Sequence, residues 1–340
     1  MQGNRKEYWN RLGISASIVL VSDRNTVYFI ANIHSNPGHP IMEIIRKLVQ
    51  FTATLLTNSY FLFPWTKNVY QGPLKVLCSP GLNCYSCPAS TTYCPIGSIQ
   101  QLLLGVRFSL ETGALYFSTY VVGTIGLIAT ATGRMTCGWL CPFGMIQELL
   151  HKIPLFKKSE VHPLLRYGKY LMLIFFVFLF PLLLTNEWGM GKPWFCKYVC
   201  PAGTLEAGLP MLLIQPDLRA TLGYLFYNKL FWMIFFLIWS IKTSRPFCKT
   251  TCPLGGFYGV FNGFAVVKLE LNEERCTDCG ACANVCPMGI QFNKSVGSRE
   301  CIMCMRCMNE CCNFGAIQLS FANRPLYAND RLLKKESQLI

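Results

Sequence analysis

A chain of 340 residues with 52% hydrophobic and only 14% charged residues departs from the composition of an ordinary soluble domain. The formal net charge of +14, from 31 Lys and Arg against 17 Asp and Glu, is spread without a basic run or an aromatic-basic platform, which argues against nucleic acid and suits basic loops at a membrane. Nineteen cysteines stand at metal-ligand spacings, while only His34, His39, His151 and His162 are available and no Cys-x-x-Cys-His occurs; a disulfide framework and haem are therefore disfavoured.

Residues 1–42 form an N-terminal extension whose basic start and short apolar run, Ile14 to Val21, echo a signal peptide without its cleavage site. The composition changes at Met42, which reads as a native start. Four apolar stretches follow within 43–265, each long enough for a hydrocarbon layer of about 30 Å: Leu48 to Trp65, Thr112 to Ala131, Lys169 to Glu187 and Leu222 to Ile241. Gln50, Thr52, Thr54 and Asn58 make the first the most polar, and Pro181 is expected to kink the third. The expected fold is an α-helical membrane bundle of about four transmembrane helices, with a small α+β domain at the C-terminus.

Cysteines follow every stretch. Cys78, Cys84, Cys87 and Cys94 come after the first, Cys137 and Cys141 after the second, Cys196 and Cys200 after the third, Cys248 and Cys252 after the fourth. The last member each time opens a C-P-x-G signature, at Cys94, Cys141, Cys200 and Cys252, and the signature returns at Cys286. In C-x3-C, one helical turn or a tight loop turns two thiolates the same way, proline fixes the backbone, and glycine permits close approach to a cluster. One pair cannot complete a four-thiolate cubane; two pairs can.

Helix parity says which pairs meet. With four single crossings, Cys137 and Cys141 share a face with Cys248 and Cys252, and Cys196 and Cys200 share the other with two of Cys84, Cys87 and Cys94. The loop carrying Arg134, Lys152, Lys157, Lys158, Arg166 and Lys169 is richer in cations than the one carrying Lys67, Lys75 and Arg107. Positive charge stays inside, so the former is expected on the cytoplasmic side, and the Cys84 to Cys94 loop on the outer face. Buried free thiols or disulfides are the plainer alternative for these pairs.

The C-terminal stretch is the most specific. Cys276, Cys279, Cys282 and Cys286, then Cys301, Cys304, Cys307 and Cys311, write C-x2-C-x2-C-x3-C twice, with fourteen residues between the copies. Three close thiolates hold one cubane and the fourth of each run reaches the other cluster; structural zinc, with four ligands from two pairs, matches less well. Over 268 to 322 the pattern resembles a bacterial two-cluster ferredoxin, with Pro287 after the first run but Cys312 where the second proline would stand. Sixteen of the nineteen cysteines then serve four clusters, leaving Cys78, Cys312 and one of Cys84, Cys87 or Cys94 unplaced.

TGRMTCGWLCPFGMIQEL and SRPFCKTTCPLGGFYGVFN, followed by that ferredoxin, resemble the NapH-type membrane polyferredoxins, related to NosR-like and CcoG-like membrane cores. The resemblance spans roughly 43 to 320. It implies a four-helix inner-membrane protein with a cytoplasmic ferredoxin domain over 266–322 and, beyond it, a basic tail over 323–340. Such a protein relays single electrons between a cytoplasmic or quinone donor and a partner redox protein through [4Fe-4S] clusters, two in the ferredoxin and two more at the membrane. The sets GLNCYSCPASTTYCPIG and KPWFCKYVCPAG exceed the two-motif NapH pattern, so the second membrane cluster rests on parity. An electron carrier without its own substrate site is the leading reading; the other is an accessory or regulatory factor that reduces a metal or matures a partner reductase. Glu148 and His151, three apart after Cys141, stand where a quinol proton relay is conceivable, although a solvated helix face explains them more simply.

Overall fold

The computed structural model describes residues 22–23, 26–27, 40–112, 119–184, 191–310, 316–322 and 324–327. Cys311, Cys312, most of the 1–42 extension and most of the 323–340 tail lie outside these described residues.

The chain is mostly helical, with a three-stranded antiparallel sheet at the C-terminal end. The first long helix, Pro40–Thr57, starts eight residues earlier than the apolar stretch suggests and ends before Asn58, whose side-chain amide donates to Thr54 O (3.0 Å) and competes with helix continuation. It buries Arg46 and Gln50 while exposing Leu48, Phe51 and Leu56. Helices Pro95–Thr112 and Thr119–Thr132 pack together. Among the described residues two helices, Pro163–Leu183 and Tyr224–Lys242, are long and apolar enough to cross a membrane by length and composition. The described part of the second expected span forms only the shorter apolar helix Thr119–Thr132, and the first carries Glu43, Arg46 and Lys47.

Pro181 changes the third helix as proline must. Its ring cannot sit against the carbonyl four residues earlier, and the turns before it widen into a π-helical segment, Met172–Leu179, which relieves that clash.

Four helices begin at the proline of a C-P-x-G signature: Pro95–Thr112, Pro142–His151, Pro201–Gly203 and Pro253–Phe261. Proline suits the first helical position because its missing N–H is unneeded there, and that makes the preceding cysteine the N-cap. Cys141 Sγ accepts from Gly144 N and Cys252 Sγ from Gly255 N, each at 3.4 Å. Sulfur thus takes the place of a serine or aspartate cap, at the helix end that favours a thiolate. The first cysteine of each pair sits on a short preceding helix, Met135–Trp139, Trp194–Tyr198 or Pro246–Thr250.

In the sheet, Val267–Leu271 pairs with Ile317–Phe321, with Leu269 opposite Leu319, and Arg324–Tyr327 adds the third strand. Leu269, Ile317, Phe292 and Met308 form the core beneath the loops of the doubled motif.

Candidate iron–sulfur sites

In the C-terminal region the thiols divide as a doubled motif requires. Cys276, Cys279 and Cys282 line one small recess, and Cys286 joins Cys301, Cys304 and Cys307 around a second, which Cys282 also borders. The loops repeat their geometry. Asp278 and Met303, each two residues after the first cysteine of a run, have φ of 49° and 45°; Gly280 and Met305, each following the second cysteine, have 73° and 61°. Left-handed backbone at three non-glycine positions is costly and coils the chain around a centre. Burial and the neighbouring thiols push Cys301 up to about 12.

A second group unites Cys137, Cys141, Cys248 and Cys252, all buried. Desolvation and mutual repulsion raise Cys137, Cys141 and Cys252, with Cys141 reaching about 12. Two arginines cross between its loops. Arg134 Nη2 donates to Cys248 O (3.3 Å) and Arg245 Nη1 to Cys137 O (2.6 Å), each standing three residues before one first cysteine and serving the other. Arg245 has φ of 51° ahead of Pro246, a strained conformation for a non-glycine residue, held by its ion pair with Glu148 (2.6 Å). This group is called proximal here, because it touches the ferredoxin region. Gly138 packs directly on Ile302 O, Trp139 Nε1 donates to Met303 O (2.9 Å), and Asn262 Nδ2 donates to Cys301 O (3.0 Å). Lys169 and Arg134 both pair with Glu300.

A third, distal group brings Cys84 and Cys94 to Cys196 and Cys200 around a cavity of about 1070 Å³. Burial, together with repulsion from Cys200, holds Cys84 at about 12. Cys87 is buried but does not line the cavity; its neighbours are Lys75 and the Ser90 turn. Cys78 bridges to Tyr93.

The distal loop does not stand across a membrane from the proximal one. Gly81 lies so close to Cys141 that a Cβ would come within 2.7 Å of its Cα. Leu82 N faces Cys141 Sγ and Asn83 N faces Cys94 Sγ, so neighbouring peptide units serve both groups. From Leu82 to Cys84 the chain reaches at most about 7 Å, far less than a bilayer. The structure brings together the cysteine pairs that helix parity grouped, but not on opposite faces, because the Cys78 to Cys94 loop packs against the end of helix Pro40–Thr57. That helix, about 27 Å long, runs beside all three regions: Arg306 meets Glu43 (2.8 Å), Gln50 Nε2 donates to Cys141 O (2.9 Å), and Thr91 N donates to Thr57 O (3.0 Å).

Arg134 and Lys169 are fully buried, and so cannot count as loop charges facing water. Glu148 is instead the centre of an ion cluster: although burial opposes ionisation, Arg245, Arg46 and Lys47 hold its carboxyl far below the usual carboxylate range, while Lys158 donates to the His151 carbonyl.

Residues missed from the sequence share one register. The sixth position after Cys94, Cys141, Cys200 and Cys252 is Gln100, Gln147, Glu206 and Tyr258 in turn. Gln100 Nε2 donates to Cys196 Sγ and Gln147 Nε2 to Cys248 Sγ, both at 3.2 Å. Glu206 accepts from Cys84 N (2.7 Å), and Tyr258 donates to Pro80 O (3.1 Å). On a helix capped by a cysteine, the sixth residue lies on the capped side one turn further along, and so reaches the opposing loop. The repeat itself was the signal.

These donor sets suit iron–sulfur clusters. Thiols gathered in fours are costly as bare thiolates in a buried site, so iron would be the compensating charge, and amide donors aimed at sulfur are the usual outer hydrogen bonds of such centres. Among the described residues, no three His, Cys, Asp or Glu converge on a single ion position.

Fold and thiol sets define an iron–sulfur electron-transfer protein of the polyferredoxin class. A model described as a 4Fe-4S binding domain matches residues 115–159, 169–210 and 226–272, and a second so described matches 269–291. Two uncharacterized proteins of Methanocaldococcus jannaschii are similar. One is 31% identical over 238 residues, covering 67% of this chain and 87% of that protein; the other is 28% identical over 235, covering 66% and 77%. The ferredoxin-type protein NapH of Escherichia coli is 24% identical over 217 residues, covering 60% of this chain and 69% of NapH. No solved structure matches. The chain belongs to the NapH-type polyferredoxins.

Proposed function

We propose that this chain is a membrane-bound relay, passing single electrons through four [4Fe-4S] clusters between a cytoplasmic or quinone donor and a partner redox protein. The ligands of the first cluster are Cys276, Cys279, Cys282 and Cys311, and of the second Cys286, Cys301, Cys304 and Cys307. Cys137, Cys141, Cys248 and Cys252 hold the third, and Cys84, Cys94, Cys196 and Cys200 the fourth. One observation carries this reading: the thiol groups form a continuous series, in which Gly138 on Ile302 joins the ferredoxin region to the proximal group and the Gly81–Asn83 backbone joins proximal to distal. Helices Pro163–Leu183 and Tyr224–Lys242 supply the membrane attachment, with the ferredoxin region on the cytoplasmic side. The distal cavity, lined by Val76, Leu102, Tyr120 and Met211 and of a size usual for ligand pockets, is where a quinone would meet the relay.

The protein purified without oxygen should carry about sixteen irons per chain, four for each cubane, and show several interacting EPR signals on reduction. Iron for only the ferredoxin clusters would refute the membrane-domain assignment.

A further inference from the structure

The proximal and distal groups are built alike in hydrogen bonding and unlike in charge. Each receives one glutamine amide on a first cysteine, Gln147 on Cys248 and Gln100 on Cys196, at the same 3.2 Å. Backbone amides of the signature glycines also match: Gly144 and Gly255 face the proximal caps, Gly97 and Gly203 the distal ones. These donors to sulfur, one determinant of cluster potential, are thus of the same kind in the two groups.

Charge is not balanced. Around the proximal group Arg46, Arg134, Lys169, Arg245 and Lys249 are all buried; Glu148 and Glu300 are their close counter-charges, with Glu43 3.8 Å from Arg46 and Glu160 facing Lys249. Two of these cations donate to carbonyls of ligand-bearing residues, and Arg46 Nη1 donates to Gly138 O (3.0 Å) between Cys137 and Cys141. Around the distal group stand Lys229, whose Nζ comes within 3.6 Å of a Cβ built on Gly203, and half-buried Lys75, which donates to Tyr85 O (2.6 Å), while Glu206 accepts from the Cys84 amide (2.7 Å). A cluster gains one negative charge on reduction, and fixed cations in a site shielded from water favour that state.

Resting on the relay reading above, we propose that buried Arg134 and Arg245 give the proximal group a higher reduction potential than the distal one, so that an electron shared between them settles on the proximal side. One cluster is oxidised by one electron as the other is reduced by one, with no proton moved and no bond broken. The relay is thereby biased from the cavity end toward the ferredoxin region.

The test is an equilibrium redox titration of the anaerobically purified, iron-loaded full chain, followed by EPR, for wild type and the variants Arg245→Gln and Lys229→Gln. Arg245→Gln leaves Glu148 paired with Arg46 and Lys47, and Lys229→Gln lies outside the buried ion cluster, so either alone can assign a signal. The signal shifted by Arg245→Gln identifies the proximal cluster, and that shifted by Lys229→Gln the distal one. The expected result is that the proximal signal appears first as the potential is lowered. Arg245→Gln should then need a potential lower by about 59 mV or more for the same reduced fraction, a tenfold change for one electron. A distal cluster reduced first or together with the proximal one, or an unmoved potential in Arg245→Gln, overturns the inference while leaving the relay intact. Loss of the membrane-domain iron from wild type overturns both.

Discussion

Glu148→Gln is the sharpest test of how the proximal site is held. The Glu148 carboxylate, 4% exposed at its side chain, meets Arg46 Nη2 (2.8 Å), Arg245 Nη2 (2.6 Å) and Lys47, with Arg306 at 3.7 Å. Glutamine keeps the shape but removes the charge, and its NH2 turns a donor toward donors. Two fully buried guanidiniums then face each other with one compensating anion gone. Breaking a buried pair in this way costs about 3–5 kcal/mol, or on the order of 10² to 10⁴ in the folded-to-unfolded ratio. Glu43→Gln is the matched control: its pair with Arg306 is 39% exposed on the glutamate side, and such pairs contribute about 1 kcal/mol or less. The assay is loss of the iron–sulfur chromophore on heating the detergent-solubilised protein, with urea midpoints for the size of the effect. Because Glu148 is held well below its unfolded value, its contribution is complete above roughly pH 5 and fades as acid reaches the folded value. The Glu148→Gln deficit should therefore stay constant from neutral pH to that point and shrink only below it. A deficit no larger than that of Glu43→Gln would refute the assignment of Glu148 as the central counter-charge.

Two further tests address the distal group. Cys84→Ser should remove the iron of one cluster from the purified protein while Cys87→Ser keeps it, as measured by iron per chain; the reverse would mean that Cys87 is the ligand. Gly81→Ala puts a Cβ 2.7 Å from Cys141 Cα, where about 3.4 Å is the near edge of ordinary contact, and should cost about 1–3 kcal/mol. It should also narrow the EPR lines broadened by interaction between proximal and distal clusters. Gly105→Ala, with nothing within 4 Å, is the control, and equal behaviour of the two variants would deny the close approach.

The doubled run from Cys276 to Cys307 was fully legible in the sequence, because a cubane demands its ligands at fixed short spacings and the loop that supplies them is local. The C-P-x-G signature was legible for the same reason: proline and glycine act on their own backbone, and at Cys94, Cys141, Cys200 and Cys252 a helix starts at the proline, whereas at Cys286 the same signature makes a turn. Helix parity also grouped Cys137 and Cys141 with Cys248 and Cys252, which the structure places together. What the sequence could not disclose were facts about distant segments in contact. Arg134 and Lys169 looked like water-facing loop cations until Glu300, more than a hundred residues away in the chain, was seen to bury them. The position of Cys84 rather than Cys87 at the distal cavity, the meeting of Gly81 with Cys141, and the unequal charge about the two thiol groups likewise depend on tertiary packing. Short-range covalent geometry belongs to the sequence, whereas burial and electrostatic surroundings belong to whichever segments the fold brings together.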